Sequence, residues 1–390
     1  MSLRVLHLLS NWKLTGPVAP ALELAGALRA RGHEVHAAVG RPLGDGLEPA
    51  GDHARHQGLQ VVGGLTLSKH FRVLDNLRDV RRLRRMVAAE GYDVVHVHGT
   101  NDHLLAAAMR RGGPRCVLVR SFHGGDVRRV RRRDRLLVTR AADALVVPSA
   151  AEEAWARRIR PDLAGRAALL RLSGAVDLER FDPGRLEVPS RPTHPFRVGV
   201  VARVQTHRRF EDILAALEEL VARGRKVQLV VVGRGTHYDR LLCRPVAERG
   251  LGPHVELAGY LTGEDYVAKL LTLDAAVYLV PGSDGTCRAV RELMALGRAV
   301  IVARRGMLPE LVEAGASGLV LEGDGTATLA AAIERLARDP ALVARLGRAA
   351  RTRALRDFDP ARQAAQVEAL YERARSEKNA PGAFFSDRPA

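Results

Sequence analysis

Short apolar runs alternate with helical patterns along nearly the whole chain, and this alternation limits the fold more than any other feature. Arg4–Leu9 reads as a strand; Val18–Ala30 has helical apolar spacing and stops at Arg31-Gly32; Val35–Val39 is a second strand. Leu77–Ala89 is helical and ends near Gly91, Val94–His98 is a strand, and a helix follows around His103–Met109. Val117–Phe122 and Ala144–Pro148 are further strands. Repeated strand-then-helix order predicts a parallel sheet with helices on both faces. The polar segment from Asp182 to Pro195 holds four prolines and reads as a linker. After it the alternation restarts, with strands at Arg197–Val201, Val227–Val232, Val255–Leu257, Ala275–Val280 and Val300–Ala303 and a helix at Phe210–Ala222. The expected fold class is therefore α/β, two Rossmann-like doubly wound domains. Residues 1–185 form the first, 186–196 the linker and 197–357 the second; 358–375 form a closing helix and 376–390 a disordered tail.

Length and composition agree. At about 150 residues per domain, 390 residues suit two or three domains, and 46% hydrophobic content supplies a sizeable core. No run of 18 apolar residues exists, so no membrane-spanning helix is expected. The first apolar stretch lacks a small-residue cleavage site and reads as a strand, not a signal peptide. Cys116, Cys243 and Cys287 are odd in number and far apart. That pattern shows neither a disulfide framework nor a zinc pair, and the expected compartment is the reducing cytoplasm. The net charge of +17 is carried almost entirely by arginine, with only five lysines. Such a field favours anionic partners: phosphates, nucleic acid or an acidic membrane face. Aromatic residues make up only 4%, which argues against base-stacking on single strands.

The second half carries a more specific pattern. The segment Val280-Pro-Gly-Ser-Asp-Gly-Thr-Cys-Arg-Ala-Val-Arg-Glu-Leu-Met-Ala-Leu-Gly-Arg-Ala-Val-Ile301 has two acids, Asp284 and Glu292, with seven residues between them. It resembles the donor-site motif of the family 4 retaining glycosyltransferases of GT-B fold. Gly306-Met-Leu-Pro-Glu310, Gly318-Leu-Val320, Gly199-Val-Val-Ala-Arg203 with Arg208, Val231-Val-Gly-Arg-Gly235 and Leu257-Ala-Gly259 continue the resemblance. So do Gly32-His-Glu-Val35, Asp93-Val-Val-His-Val-His98, Ser121-Phe-His-Gly-Gly125 and Val176-Asp-Leu-Glu-Arg-Phe-Asp-Pro183 in the first half. The resemblance spans roughly residues 3–375. It implies two Rossmann-like domains facing a central cleft, with an acceptor domain first, a nucleotide-sugar donor domain second, and a last helix crossing back to the first.

The chemistry of such a transfer assigns roles to these residues. The leaving diphosphate carries negative charge that the site must neutralise as the glycosidic bond breaks. Arg203, at a strand end, and Arg208, in the following loop, are expected to clamp the phosphates. The resemblance implies a sugar-hydroxyl contact for Asp284, for which a helix N-cap is the plainer reading, and a ribose contact for Glu292. A helix starting near Gly285-Thr286 adds a positive dipole end for an anion. Two readings of Arg288 stand: a phosphate contact, or an i,i+4 ion pair with Glu292. Gly306 and Glu310 resemble a loop near the nucleotide; Glu310 also reads as a helix-start charge. His123 is implied to hydrogen-bond the donor sugar. Gly16 stands alone where relatives often have a glycine pair, and lets backbone approach the diphosphate.

His96 and His98 alternate on one strand and face one side; a strand-end pocket wall and a metal pair are the two readings. Asp357-Phe-Asp359 precedes Pro360 and reads as helix capping rather than a metal-binding acid pair. No divalent metal and no cofactor beyond the nucleotide-sugar substrate is expected. Arg128, Arg129, Arg131, Arg132 and Arg133, with Arg81, Arg82, Arg84 and Arg85, suit a phosphorylated or lipid-linked acceptor at an anionic leaflet; a solvated basic helix face explains them equally. The resemblance implies net retention at the anomeric carbon. A front-face transfer is preferred and double displacement stays open. The expected function is a glycosyltransferase building a surface glycan, cytoplasmic and peripheral to the membrane. A catalytically weak GT-B-fold partner subunit is the alternative. A dinucleotide oxidoreductase needs a GxGxxG that Ser10–Pro20 lacks, and no nucleic-acid motif accompanies the charge.

Overall fold

The computed structural model describes residues 2–41, 49–68, 71–124, 132–165, 168–186, 195–281 and 287–379. The chain divides into two compact units: residues up to Ala175 together with those from Pro360 onward, and Val176–Asp359.

The first unit holds β1 (Arg4–Leu9), β2 (Glu34–Val39), β3 (Gln60–Val61), β4 (Val94–Val97), β5 (Val117–Ser121), β6 (Ala144–Val147) and β7 (Leu169–Arg171). They form a parallel sheet of order β3-β2-β1-β4-β5-β6-β7. Continuous apolar runs such as Ala144-Leu-Val-Val147 fit strands covered on both faces. On one face Val5, Leu9, Val94 and Val119 pack with Leu22 and Leu28 of helix Val18–Ala30 and with Val367, Leu370 and Tyr371 of helix Pro360–Asn379. On the other, Leu6, Leu8, Val95 and Val97 pack with Leu83 and Val87 of helix Val73–Glu90. That helix ends at Gly91, whose φ of 66° is left-handed, as a helix stop requires.

The second unit holds β8 (Phe196–Val201), β9 (Val227–Val232), β10 (Val255–Gly259), β11 (Ala275–Tyr278), β12 (Ala299–Ala303) and β13 (Leu319–Leu321). Their order is β10-β9-β8-β11-β12-β13, again parallel. In both sheets the order reverses once, at β1/β4 and at β8/β11. Open α/β sheets bind ligands beyond the carboxyl ends of the strands at such a reversal.

Two boundaries differ from expectation. The first domain ends at Ala175, not at 185. Val176 and Phe181 are buried beside Phe358 in the second unit's core, and the Val176 N–H donates to the Phe358 carbonyl at 3.0 Å. The proline-rich composition marked the chain after this crossing, and residues 187–194 of that linker lie outside the described residues. The closing helix runs to Asn379 rather than 375. Lys378 extends it by pairing with Asp143 at 3.1 Å and with the Cys116 carbonyl. Residues 380–390 of the expected tail lie outside the described residues.

Candidate active site

In the second unit, Arg203 and Arg208 follow β8, one of the two strands of the β8/β11 reversal. Arg203 follows β8 and is exposed, with no partner among the described residues. The strand end that carries it is pressed from above by the segment after β9. A Cβ on Gly233 or Gly235 would fall 2.0 Å from the carbonyl oxygen of Ala202 or Val204, so only glycine permits this approach. Arg208, in a 3-10 turn, crosses the reversal: its Nη1 donates to the Pro281 carbonyl at 3.0 Å and reaches the Val280 carbonyl at 3.4 Å. Arg208 therefore holds the loop leaving β11, a role the sequence reading did not give it.

Glu292 sits on helix Arg288–Ala295 and is 3% exposed. Its Oε2 accepts a 2.6 Å hydrogen bond from Tyr266 Oη, and its Oε1 faces Arg288 Nε at 2.9 Å. Of the two readings of Arg288, the i,i+4 pair is the contact that forms. Burial first, then the Glu292 charge, push the Tyr266 hydroxyl well above its usual range. The same two causes, in the same order, raise Tyr278, whose Oη donates to the Val201 carbonyl at 3.0 Å. Tyr266 and Tyr278 were missed by sequence reasoning; nothing in their spacing ties them to Glu292.

The helix begins at Arg288 and not near Gly285-Thr286, because Cys287 stands at φ 48°, outside helical backbone. Glu292 is thus one turn inside the helix. Asp284, Gly285 and Thr286 lie outside the described residues. Gly306 has φ 53° in the turn after β12, and Glu310 lies in the first turn of the short helix Leu308–Leu311. Asp357 pairs with Arg353 at 3.3 Å and Arg356 at 2.7 Å.

In the first unit, Gly16 is half-buried in the turn between β1 and helix Val18–Ala30, and its φ is not left-handed. His123 follows β5, half-buried, with its Nε2 2.9 Å from His98 Nδ1. His98 in turn meets His7 of β1, Nε2 to Nδ1, at 3.0 Å. His96 lies opposite His7 in the sheet register, with Nδ1 2.5 Å from Tyr371 Oη and Nε2 2.7 Å from Ser121 Oγ. All three of His7, His96 and His98 are buried. The last two are therefore interior residues rather than a pocket wall, because the closing helix covers their face of the sheet. Burial pushes the His7 imidazole down to about 3 and holds His96 and His98 well below the usual range, so all three are neutral.

Among the basic residues, Arg132 and Arg133 are exposed on helix Arg132–Ala141, and Arg128, Arg129 and Arg131 lie outside the described residues. Arg81, Arg82 and Arg85 are exposed. Arg84 leaves that cluster, since its guanidinium donates to the carbonyls of Ala108, Met109 and Arg111 at the end of helix Thr100–Arg110. The start of helix Val73–Glu90 adds a feature no motif announced: Phe71, Val73, Leu74 and Leu77 are exposed, Leu74 at 69%.

Two Rossmann-like α/β units, each a parallel sheet with one reversal of strand order, have the architecture of the GT-B transferases. Residues 186–353 match the family of glycosyl transferases group 1, and residues 16–164 match glycosyltransferase family 4. The chain belongs to this family. It is 26% identical to the phosphatidyl-myo-inositol mannosyltransferase of Mycolicibacterium smegmatis over 92% of this chain and 90% of that one. It is 27% identical to the putative colanic acid biosynthesis glycosyltransferase WcaL of Escherichia coli, over 72% and 73%. The fold is similar to HepE of Anabaena, solved with UDP, at a TM-score of 0.75 and 18% identity over 94% of this chain and 99% of that one.

Proposed function

We propose that this glycosyltransferase moves a sugar, with retention, from a nucleoside-diphosphate sugar to a lipid-linked or glycan acceptor of the cell envelope. The observation that carries the reading is Glu292, a buried carboxylate fixed by Tyr266 and Arg288 on the helix that follows the sheet reversal. It suits a bidentate acceptor for ribose hydroxyls, and Arg203 and Arg208 bring to the same reversal the positive charge a leaving diphosphate needs. In the front-face step, the acceptor oxygen bonds to the anomeric carbon as the bond from that carbon to the diphosphate breaks. The departing phosphate oxygen takes the acceptor's proton. Arginines then stabilise the charge that a metal ion otherwise meets, and we assign no required divalent metal. His123 supplies a hydrogen bond to the substrate sugar.

Support for an envelope acceptor comes from the names of the mannosyltransferase and colanic acid relatives. Support for a membrane face comes from the exposed apolar residues Phe71, Val73, Leu74 and Leu77 beside Arg72, Arg78 and Arg81. Apolar side chains that enter the interface and arginines near anionic headgroups, each worth about 1 kcal/mol, act together. No helix among the described residues is long and apolar enough to cross a membrane.

A panel of nucleoside diphosphates with and without magnesium tests the donor reading by thermal shift. One nucleotide is expected to raise the melting temperature without magnesium, and Glu292→Ala to abolish the shift while unfolding stays cooperative. An unchanged shift in that variant removes Glu292 from the donor site.

A further inference from the structure

Three buried histidines, His7 and His96 on neighbouring strands and His98 just past the end of β4, meeting His123 as a fourth, need an explanation that a strand-end pocket does not give. His7, His96 and His98 offer ring nitrogens within 4.8 Å of one another, the spacing of a metal site. Ring geometry argues against that use. The His7 and His98 rings lie 17° apart in plane with centroids 5.2 Å apart, while their facing nitrogens are 3.0 Å apart. The centroid separation exceeds the nitrogen separation by two ring radii, which only an edge-to-edge arrangement gives. The lone pair of one ring therefore points straight at the other ring's nitrogen. Zinc gathers its ligands tetrahedrally, with Zn–N bonds of about 2.0–2.1 Å, and two lone pairs aimed along one line at each other do not converge on such an ion. His98 and His123 repeat the arrangement, with centroids at 5.2 Å and nitrogens at 2.9 Å. These are in-plane hydrogen bonds of ordinary length. His96 does something else: it lies over the face of His98, centroids 4.5 Å apart, and is itself held by Tyr371 and Ser121.

We propose that His7 and His98 are positioning residues whose hydrogen-bonded chain fixes His123 in one tautomer, with its proton on Nδ1. Each neutral ring carries one proton, so the two bonds run in the same direction along the chain. If His123 donated toward the interior, His98 would donate to His7, and His7 would carry its proton on Nε2. That nitrogen is buried and has no partner among the described residues. A buried N–H without an acceptor is rare in folded proteins. The opposite direction leaves only a bare nitrogen there: His7 Nδ1–H donates to His98 Nε2, His98 Nδ1–H donates to His123 Nε2, and His123 keeps its proton on Nδ1. His123 then meets substrate as a hydrogen-bond donor and not as a base. Burial keeps His7 and His98 neutral, so the chain holds one proton per ring across the working pH range.

The inference rests on the functional reading of His123, and the test separates the two. Two-bond nitrogen–proton spectra of uniformly 15N-labelled full-length protein at pH 7.5 report the tautomer of each histidine. The expected result is a single form of His123 protonated on Nδ1, with His7 Nε2 bare. In His98→Phe, His123 is expected to become a mixture of tautomers, and kcat to fall roughly 10–100-fold with little change in the donor KM, the scale on which partners that orient a functional histidine act. His7→Phe, which does not touch His123, is expected to mix the tautomers of His98 and His123 and lower kcat in the same direction. A His123 protonated on Nε2, a His123 tautomer unchanged in His98→Phe, or one equivalent of zinc retained by purified protein through His7 and His98 would each overturn the chain. Full activity in His123→Ala would instead overturn the functional reading of His123, while the spectra still decide the chain.

Discussion

The Tyr266 hydroxyl donates to the Glu292 carboxylate at 2.6 Å across two helices of the second unit, Gly263–Leu271 and Arg288–Ala295. A carboxylate 3% exposed is cut off from water, and such a donor supplies the hydrogen bond that water would have made. Tyr266→Phe removes this one without changing the packing. We expect a loss of about 1.5–3 kcal/mol in unfolding free energy, the range for hydrogen bonds to charged groups, together with weaker nucleotide binding. Denaturant titration and nucleoside diphosphate calorimetry on the variant measure both. Unchanged affinity would mean that Tyr266 does not set the Glu292 carboxylate for ligand.

Arg208 spans the reversal of the second sheet by holding the carbonyls of Val280 and Pro281. Arg208→Lys keeps a charge but loses the planar fork that reaches both the loop and a phosphate. Turnover should fall about 10²–10³-fold in Arg208→Ala, as for a lost transition-state donor, and by less in the lysine variant. Equal rates for both variants and wild type would take Arg208 out of the reaction.

Tyr371 is fully buried in the first unit, with its hydroxyl 2.5 Å from His96 Nδ1. Tyr371→Ala opens a large cavity under the sheet and is expected to cost about 3–5 kcal/mol. Tyr371→Phe removes only the hydrogen bond and should cost about 1 kcal/mol. Urea unfolding that ranks the two variants otherwise would show that the helix is held elsewhere.

Acid should destabilise the first unit through its buried histidines. His7, His96, His98 and His103 are all held below their ordinary range, chiefly by burial. The unfolded chain takes up protons near pH 6.5 that the folded chain refuses. Their stabilising effect is therefore complete above about pH 6.5 and is lost as the pH falls toward the His7 value of about 3, by about 1.4 kcal/mol per pH unit for each histidine. Urea midpoints at pH 7.5, 6.5 and 5.5 measure the slope. His7→Gln should flatten it by one proton's worth, and an unchanged slope would show that His7 is protonated in the folded chain.

The strands were legible because parallel strands covered on both faces are written as apolar runs; Arg4–Leu9 and Val227–Val232 are found as read. Shorter ones were not. Gln60–Val61 and Leu169–Arg171 are too brief to carry a period and exist because a neighbouring strand pairs with them. The motif singled out Glu292 but not its partner Tyr266, since their meeting depends on how two helices pack. His7 is a similar case. It lies 91 residues from His98, and only the register of β1 against β4 brings the two rings into line. The boundary at Ala175 escaped because prolines mark where a chain turns, not which core claims the residues before the turn.

The closing helix Pro360–Asn379 supplies Ala364, Val367, Leu370, Tyr371 and Ala374 to the core of the first unit. During synthesis, that unit's first 175 residues leave the ribosome before any of these five side chains has been made. The whole of Val176–Asp359 is made in between and can finish folding first. At about 5–20 residues per second, the earliest-made sheet waits roughly ten to forty seconds with the face beneath His7 and His96 uncovered. For this chain the order of translation is the reverse of the order of completion, and the interval is when a chaperone has most to hold.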